Sequence, residues 1–300
     1  MAAAKPRIGV VALARPTFDV PYAEEFARKA FATLDALPVE LVGSRELLFD
    51  AAAVGNAIPA LTAGPLDLLL VLQVTFTDAT MTVKLGEAVS APLLFWSFPE
   101  PRSGGRLRLN SLCGINLGAH ALGRAGKDYG FVHRAPDDAA AGAEILAEVQ
   151  AVIAKRALAE AKIGLFGRHP DGFDTCRYED ETVARLCGAK VDRLELKDIF
   201  DAAGALPDSD TQALYDRLQG ELGNLDQLEQ EPLRKSLKTY LTLRHLADER
   251  GYKGVAVRCW PEFFTEFGCA ACGAMALMNQ DKTPAGCEAD VYGTLTTLML

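Results

Sequence analysis

The sequence contains no apolar run long enough to enter a membrane. Its longest purely apolar stretch lies around Leu68–Leu72, far short of the ~20 residues that a membrane helix needs. A signal core is missing too, because Met1-Ala-Ala-Ala-Lys-Pro-Arg runs straight into a strand-like segment. A cytoplasmic protein with no membrane partner is expected. Basic charge is scarce: the formal net charge is −9 at pH 7. A nucleic-acid groove needs a concentrated basic surface, so no nucleic-acid partner is expected, although one local arginine is enough for an anionic small substrate. No glycine fingerprint follows the first strand, since Gly9-Val-Val-Ala-Leu-Ala-Arg lacks the spacing that a dinucleotide pyrophosphate requires. There is no Walker-type phosphate loop, no short-period repeat and no low-complexity tract.

What is present is an α/β rhythm. The 300 residues are 49% hydrophobic and 24% charged, the balance of a soluble chain long enough for two domains. Continuous apolar runs read as buried strands at Ile8–Ala14, Val39–Val42, Asp67–Leu72 and Pro92–Trp96. Helical patterns lie between them at Tyr22–Leu37, Ser44–Ala57 and Thr80–Val89. Ala139–Leu158 predicts a long helix leaving this first unit. A second series follows, with strands at Lys162–Gly167, Lys190–Leu196 and Gly254–Cys259. Its helices are expected at Glu179–Cys187, Lys197–Ala203, over most of Ser209–His245, at Phe267–Asn279 and at Ala289–Leu300. Strands that are apolar throughout and spaced by helices imply parallel sheets covered on both faces. The expected architecture is therefore α/β, with two consecutive doubly wound, Rossmann-like domains over residues 1–157 and 158–300. The last helix reaches Leu300 without a stop signal, and the expectation is a chain that continues.

Open α/β sheets bind ligands beyond the carboxyl ends of their strands, and polar residues gather there. Arg15 follows the first strand, Gln73-Val-Thr75-Phe-Thr77-Asp78 the third, and Trp96 with Glu100 the fourth. Asn116-Leu-Gly-Ala-His120 follows Ser111–Ile115. Each has a structural alternative: a surface charge for Arg15, helix caps for Thr75 and Thr77, core packing for Trp96, and an ordinary hydrogen-bonded histidine for His120.

Seven cysteines, at 113, 176, 187, 259, 269, 272 and 287, favour free thiols in a chain with no secretion signal. Cys269-Ala-Ala-Cys272 between Cys259 and Cys287 invites a thiolate zinc site. The apolar surroundings instead favour small buried residues on a helix. Cys287-Glu288-Ala289-Asp290 opens the final helix. Carboxylates there either cap the helix or offer oxygen to a hard divalent cation.

Taken together, these segments resemble the L-fucose isomerase/L-arabinose isomerase superfamily. Cys287-Glu-Ala-Asp-Val-Tyr-Gly-Thr-Leu is similar to the segment whose glutamate opens a helix and binds a manganese-type ion. Arg258-Cys-Trp-Pro-Glu262 is similar to the strand end that reaches the substrate from the middle domain. Gly114-Ile-Asn-Leu-Gly-Ala-His120 resembles the family's asparagine–histidine loop, and Val74–Asp78 and Leu93–Trp96 its substrate-facing turns. The resemblance implies a metal-dependent aldose–ketose isomerase working through an enediolate on a hexose, deoxyhexose, pentose or sulfonated sugar. It assigns Glu288 to catalysis and to Mn2+ (or Co2+ or Mg2+), and Arg15, Thr77, Trp96, Asn116, His120 and Trp260 to the sugar. It further implies a homo-oligomer, trimer or hexamer. A second acidic ligand, a histidine ligand and a C-terminal domain are expected beyond Leu300. A non-catalytic sugar-binding protein on the same scaffold is the alternative.

Overall fold

The computed structural model describes residues 5–101 and 104–300. They form two compact units, divided between Ile153 and Ala154. The first contains β1 (Arg7–Leu13), α1 (Val20–Asp35), β2 (Glu40–Val42), β3 (Leu47–Leu48), α2 (Ala51–Thr62) and β4 (Leu68–Gln73). It continues with α3 (Thr80–Ala88), β5 (Leu93–Ser97), α4 (Ser111–Arg124), β6 (Tyr129–His133) and most of α5 (Ala139–Ala159). The strands are all parallel, in the order β2-β1-β4-β5-β6, with β3 extending the β1 edge.

The apolar runs dictate this layering. In β4 every residue is buried, so both faces of the strand need cover. Register pairs Ile8, Val10 and Ala12 with Leu68, Leu70 and Leu72, and these residues face α1 and α5. The alternate set, Val11, Leu13, Leu69 and Val71, faces α2, α3 and α4. Helix α1 starts where Asp19 accepts a hydrogen bond from the Tyr22 amide at 3.1 Å. It buries Ala23, Phe26, Ala27, Ala30, Phe31 and Leu34, one face at helical spacing.

The second unit contains β7 (Lys162–Phe166), α6 (Asp180–Leu186), β8 (Lys190–Leu194), α7 (Leu196–Ala205), α8 (Gln212–Leu222) and α9 (Gln230–Arg250). After these come β9 (Gly254–Val257), α10 (Cys272–Gln280), β10 (Ala285–Gly286) and α11 (Val291–Met299). Its parallel sheet runs β10-β9-β7-β8. Phe166, Val255 and Val257 pack toward α7, α9 and α10. Ile163, Leu165 and Ala256 pack toward α6 and α11. The α/β class and the parallel sheets agree with the expectation from the sequence. Among the described residues, no helix is long and apolar enough to cross a membrane.

Several elements differ from the sequence reading. Ser111–Ile115 is the start of α4 rather than a strand, because Gly114, Ile115, Gly118, Ala119 and Leu122 recur every three or four residues and bury one helical face. The span expected as one helix from Ser44 contains β3, and α2 begins only after Asp50, which accepts from the Ala53 amide at 2.7 Å. Phe263–Phe267 forms a π-helical turn of its own, so the helix expected from Phe267 starts instead at Cys272. Strand β6 carries one buried residue, Val132, among exposed or half-buried neighbours, an apolar pattern too weak to mark a strand in the sequence.

Leu70 is fully buried at the centre of β4. Leu70→Ala is expected to destabilise the first unit by about 2–5 kcal/mol, read as a lowered urea midpoint for that unit with its circular dichroism spectrum retained.

Candidate functional site

In the second unit the strand order reverses between β7 and β9, and the chain beyond β9 and β10 carries the chemistry. Cys259 follows β9; Cys287 and Glu288 follow β10. Their ligand atoms, two thiol sulfurs and one carboxylate oxygen, lie within 4.8 Å of one another. Cys259 Sγ lies 3.5 Å from Glu288 Oε1. Cys259 is buried, whereas Cys287 and Glu288 are half-buried.

The turn that presents Glu288 is tightly specified. Glu288 and Ala289 both take left-handed backbone conformations, with φ of 53° and 56°, a region costing about 1–2 kcal/mol per non-glycine residue. Asp290 provides the cap of α11, its Oδ1 accepting from the Gly293 amide at 2.8 Å. A Cβ on Gly293 would lie 2.4 Å from Asp290 Oδ2, and one on Gly286 would lie 2.4 Å from Thr294 Oγ1. Thr294 Oγ1 in turn donates to Asp290 O at 2.8 Å. The two carboxylates thus divide their tasks: Asp290 holds the helix, and Glu288 is left for other work.

Electrostatics keep the neighbouring thiols protonated. Burial pushes Cys287 up to about 12, helped by Cys259 and Glu288 beside it. Burial also raises Cys259. Sulfur is a soft donor and a poor partner for a hard cation, so the donor set fits such an ion through a single oxygen ligand, Glu288. The four-thiol zinc arrangement is not formed: Cys269 sits in the core, Cys272 is exposed, and neither joins the cluster among the described residues. Burial raises Cys269 to about 11.

Trp260 lies one residue past Cys259, half-exposed, with its ring 6.0 Å from that of Phe173. Arg258, just before Cys259, is nearly buried and donates from Nε to Glu262 Oε2 at 2.7 Å. The sequence marks this segment as a substrate-reaching strand end but assigns a role only to Trp260; the spacing of an arginine and a glutamate four residues apart is the signal for the pair.

In the first unit the order reverses between β1 and β4, and Arg15 and Thr77 come together there. The Arg15 amide donates to Thr75 Oγ1 at 2.8 Å, and its guanidinium pairs with Asp78. Thr77 Oγ1 accepts from Gln73 Nε2 at 2.9 Å, and the same nitrogen donates to Thr75 O at 2.8 Å. Neither threonine caps a helix; Asp78 Oδ1 takes the Thr80 amide at the start of α3 instead. Buried Gln73, the first residue of the polar segment after this strand but given no role from the sequence, organises this turn. Asn116 and His120 lie one helical turn apart on the exposed face of α4, not in a loop. Trp96 is a correction. Its ring is fully buried against Phe98, and Nε1 donates to Arg134 O at 3.1 Å, so it packs the core and has no face to offer a sugar.

Comparison with known proteins adds a family. Residues 9–156 match the family described as "Fucose/sulfoquinovose isomerase, N-terminal domain". The chain is similar to the sulfoquinovose isomerases of Priestia aryabhattai and Priestia megaterium, each 27% identical over 291 residues, covering 97% of this chain and 65% of the relative. It is likewise 27% identical over 293 residues to the sulfoquinovose isomerase of Alkalicoccus urumqiensis, covering 96% of this chain and 64% of that protein. The chain therefore spans about two-thirds of the length of these relatives.

Thiolate is the reactive form of cysteine. Iodoacetamide at pH 8 is therefore expected to modify exposed Cys113 and Cys272 first and to leave Cys287 intact, its labelling rising only as pH approaches 12. Peptide mass mapping over a pH series reads this order; early labelling of Cys287 would contradict its placement.

Proposed function

The chain belongs to the fucose/sulfoquinovose isomerase superfamily, and from that premise we propose that the protein is an aldose–ketose isomerase whose working carboxylate is Glu288. One observation carries the reading. Glu288 is held in a strained turn beyond the sheet's carboxyl edge, while helix capping falls to its neighbour Asp290. Strained backbone of this kind persists where surrounding structure enforces it, and it concentrates at functional sites.

Interconverting an aldose and a ketose moves a proton between adjacent carbons and another between their oxygens. A base must stand beside the carbon, and negative charge on the enediolate must be stabilised. Glu288 is the residue to hold a divalent cation, manganese in the reading favoured here, and to take part in proton transfer. When bound, that cation would stabilise developing charge on the sugar oxygens. Arg15 at its strand end, and Asn116, His120 and Trp260, all exposed, are the groups proposed to hold hydroxyls; Thr77, buried and bonded to Gln73, is withdrawn from that set. The relatives' names make a sulfonated hexose the first substrate to assay.

A homo-oligomer is part of the proposal. The first unit exposes Phe131 (62%), Leu112 (43%), Leu117 (42%) and Tyr129 (40%) on β6 and α4, apolar surface of the kind that subunit contacts cover. Light scattering is expected to return the mass of a trimer or hexamer; a monomer at micromolar concentration would remove this part.

The test of the central claim uses the complete reading frame that carries this chain, purified with Mn2+. Glu288→Gln is expected to lower turnover of the sulfonated hexose by about 10²–10⁴-fold and to reduce bound manganese measured by elemental analysis. Wild-type turnover and metal content in the variant would refute the role given to Glu288.

A further inference from the structure

Two adjacent strand ends in the second unit bring a pair of sulfurs to the carboxylate of Glu288. Cys259 lies just past β9, and Cys287 directly follows β10. The two strands pair in parallel, with Gly286 beside Ala256, so both segments leave the sheet at the same end. Each is anchored. The Arg258 amide donates to Phe166 O at 2.9 Å. Asn279 clamps Ala285, its Nδ2 donating to the Ala285 carbonyl at 3.0 Å and its Oδ1 accepting from the Ala285 amide at 3.1 Å.

The spacing of the three donor atoms suits a tetrahedral metal ion. Zinc–sulfur bonds of about 2.3 Å and zinc–oxygen bonds of about 2.0–2.2 Å, set at tetrahedral angles, put sulfur and oxygen about 3.5–3.7 Å apart and two sulfurs about 3.8 Å apart. Cys259 Sγ already stands 3.5 Å from Glu288 Oε1. All three ligand atoms lie within 4.8 Å of one another, so closing them round such an ion shortens no pair by more than about 1 Å.

Sulfur decides which ion gains most. A hard ion such as manganese takes only Glu288 from this set, whereas a thiophilic ion takes all three donors. Manganese also stands at the bottom of the general affinity order of divalent first-row ions, with zinc well above it. Burial disfavours a lone thiolate at either sulfur. A bound dication reverses that balance, because a coordinating thiol is deprotonated outright. Capture releases the two thiol protons and forms two zinc–sulfur bonds and one zinc–oxygen bond, with no change of oxidation state. Neither sulfur belongs to the oxygen and nitrogen ligand set that the family resemblance implies.

We propose that Cys259, Cys287 and Glu288 form a thiophilic metal site that takes Zn2+, with water as the fourth ligand, and that zinc held there excludes manganese from Glu288. The three-ligand site stands on the geometry of the donors. The loss of manganese, and of turnover with it, rests on the function proposed above.

The test titrates the complete protein that carries this chain with Co2+, the spectroscopic stand-in for zinc, in a Cys113→Ser/Cys272→Ser background that removes the exposed thiols. An intense near-ultraviolet thiolate-to-cobalt charge-transfer band is expected, bleached by stoichiometric Zn2+. Outer partners of a metal site typically cost 10–100-fold in affinity when mutated, so loss of a ligand in Cys287→Ser should abolish the band and weaken zinc by at least about 100-fold. Cys259→Ser should do the same; Cys287, only half-buried, keeps the test decisive if the change at buried Cys259 disturbs folding. No band in the background, or a band and zinc affinity preserved in Cys287→Ser, would overturn the site. Manganese content and ketose formation are followed before and after zinc in each protein. Both should fall on zinc addition unless Cys287 is replaced, and manganese retained at saturating zinc would overturn the exclusion. Absence of ketose formation before zinc is added refutes the isomerase reading, while the cobalt band still decides the metal site.

Discussion

Asp290 accepts the Gly293 amide and thereby closes the start of α11. The arrangement at the end of the second sheet follows from that hydrogen bond. With the helix satisfied, Glu288 has no capping duty, and the turn before it winds through two left-handed residues. Gly286 and Gly293 are needed because a side chain at either would strike Thr294 or Asp290. The local strain is offset by what surrounds it: Ala289, Val291 and Leu295 are buried in the core beneath β9 and β7.

Both units use their sheets in the same way. Each begins with a strand that takes one neighbour on one side and later neighbours on the other, so the loops leaving adjacent strands part at that point. In the first unit Arg15, Gln73 and Thr77 gather there; in the second, Arg258 and Cys259 do. Burial of both sheet faces leaves little freedom for the strands themselves, and chemical variation is confined to the loops that leave them. Arg258 illustrates the coupling, since its bonds to the Arg168 and His169 carbonyls tie the loop after β9 to the loop after β7.

Much of the fold was legible in the chain. The runs Ile8–Ala14, Leu68–Leu72 and Lys162–Gly167 became β1, β4 and β7 because continuous apolar character has only one efficient use in a parallel sheet. Where the signal was weaker the reading slipped. The start of α4 looked like a strand because two glycines mask a helical stripe, and β6 was missed because an edge strand shows little alternation. At the sites, types and neighbourhoods were readable but tasks were not. The threonines at 75 and 77 looked like caps and instead bind Gln73 and the Arg15 amide. Trp96 looked equally suited to core or ligand, and packing against Phe98 decided for the core.

The sequence by itself determined the α/β class, the two sheets, the net negative charge and the short list of polar residues at strand ends. These follow from hydrophobic pattern, a property of neighbours along the chain, and from charge count, a property of composition. Tertiary structure alone decided which carboxylate caps and which stays free, which thiols lie beside Glu288, and that Arg258 ties the loop after β9 to the loop after β7. Those outcomes depend on backbone torsions and on contacts between residues as distant as Cys259 and Glu288, or Arg168 and Arg258, distances that no local pattern encodes.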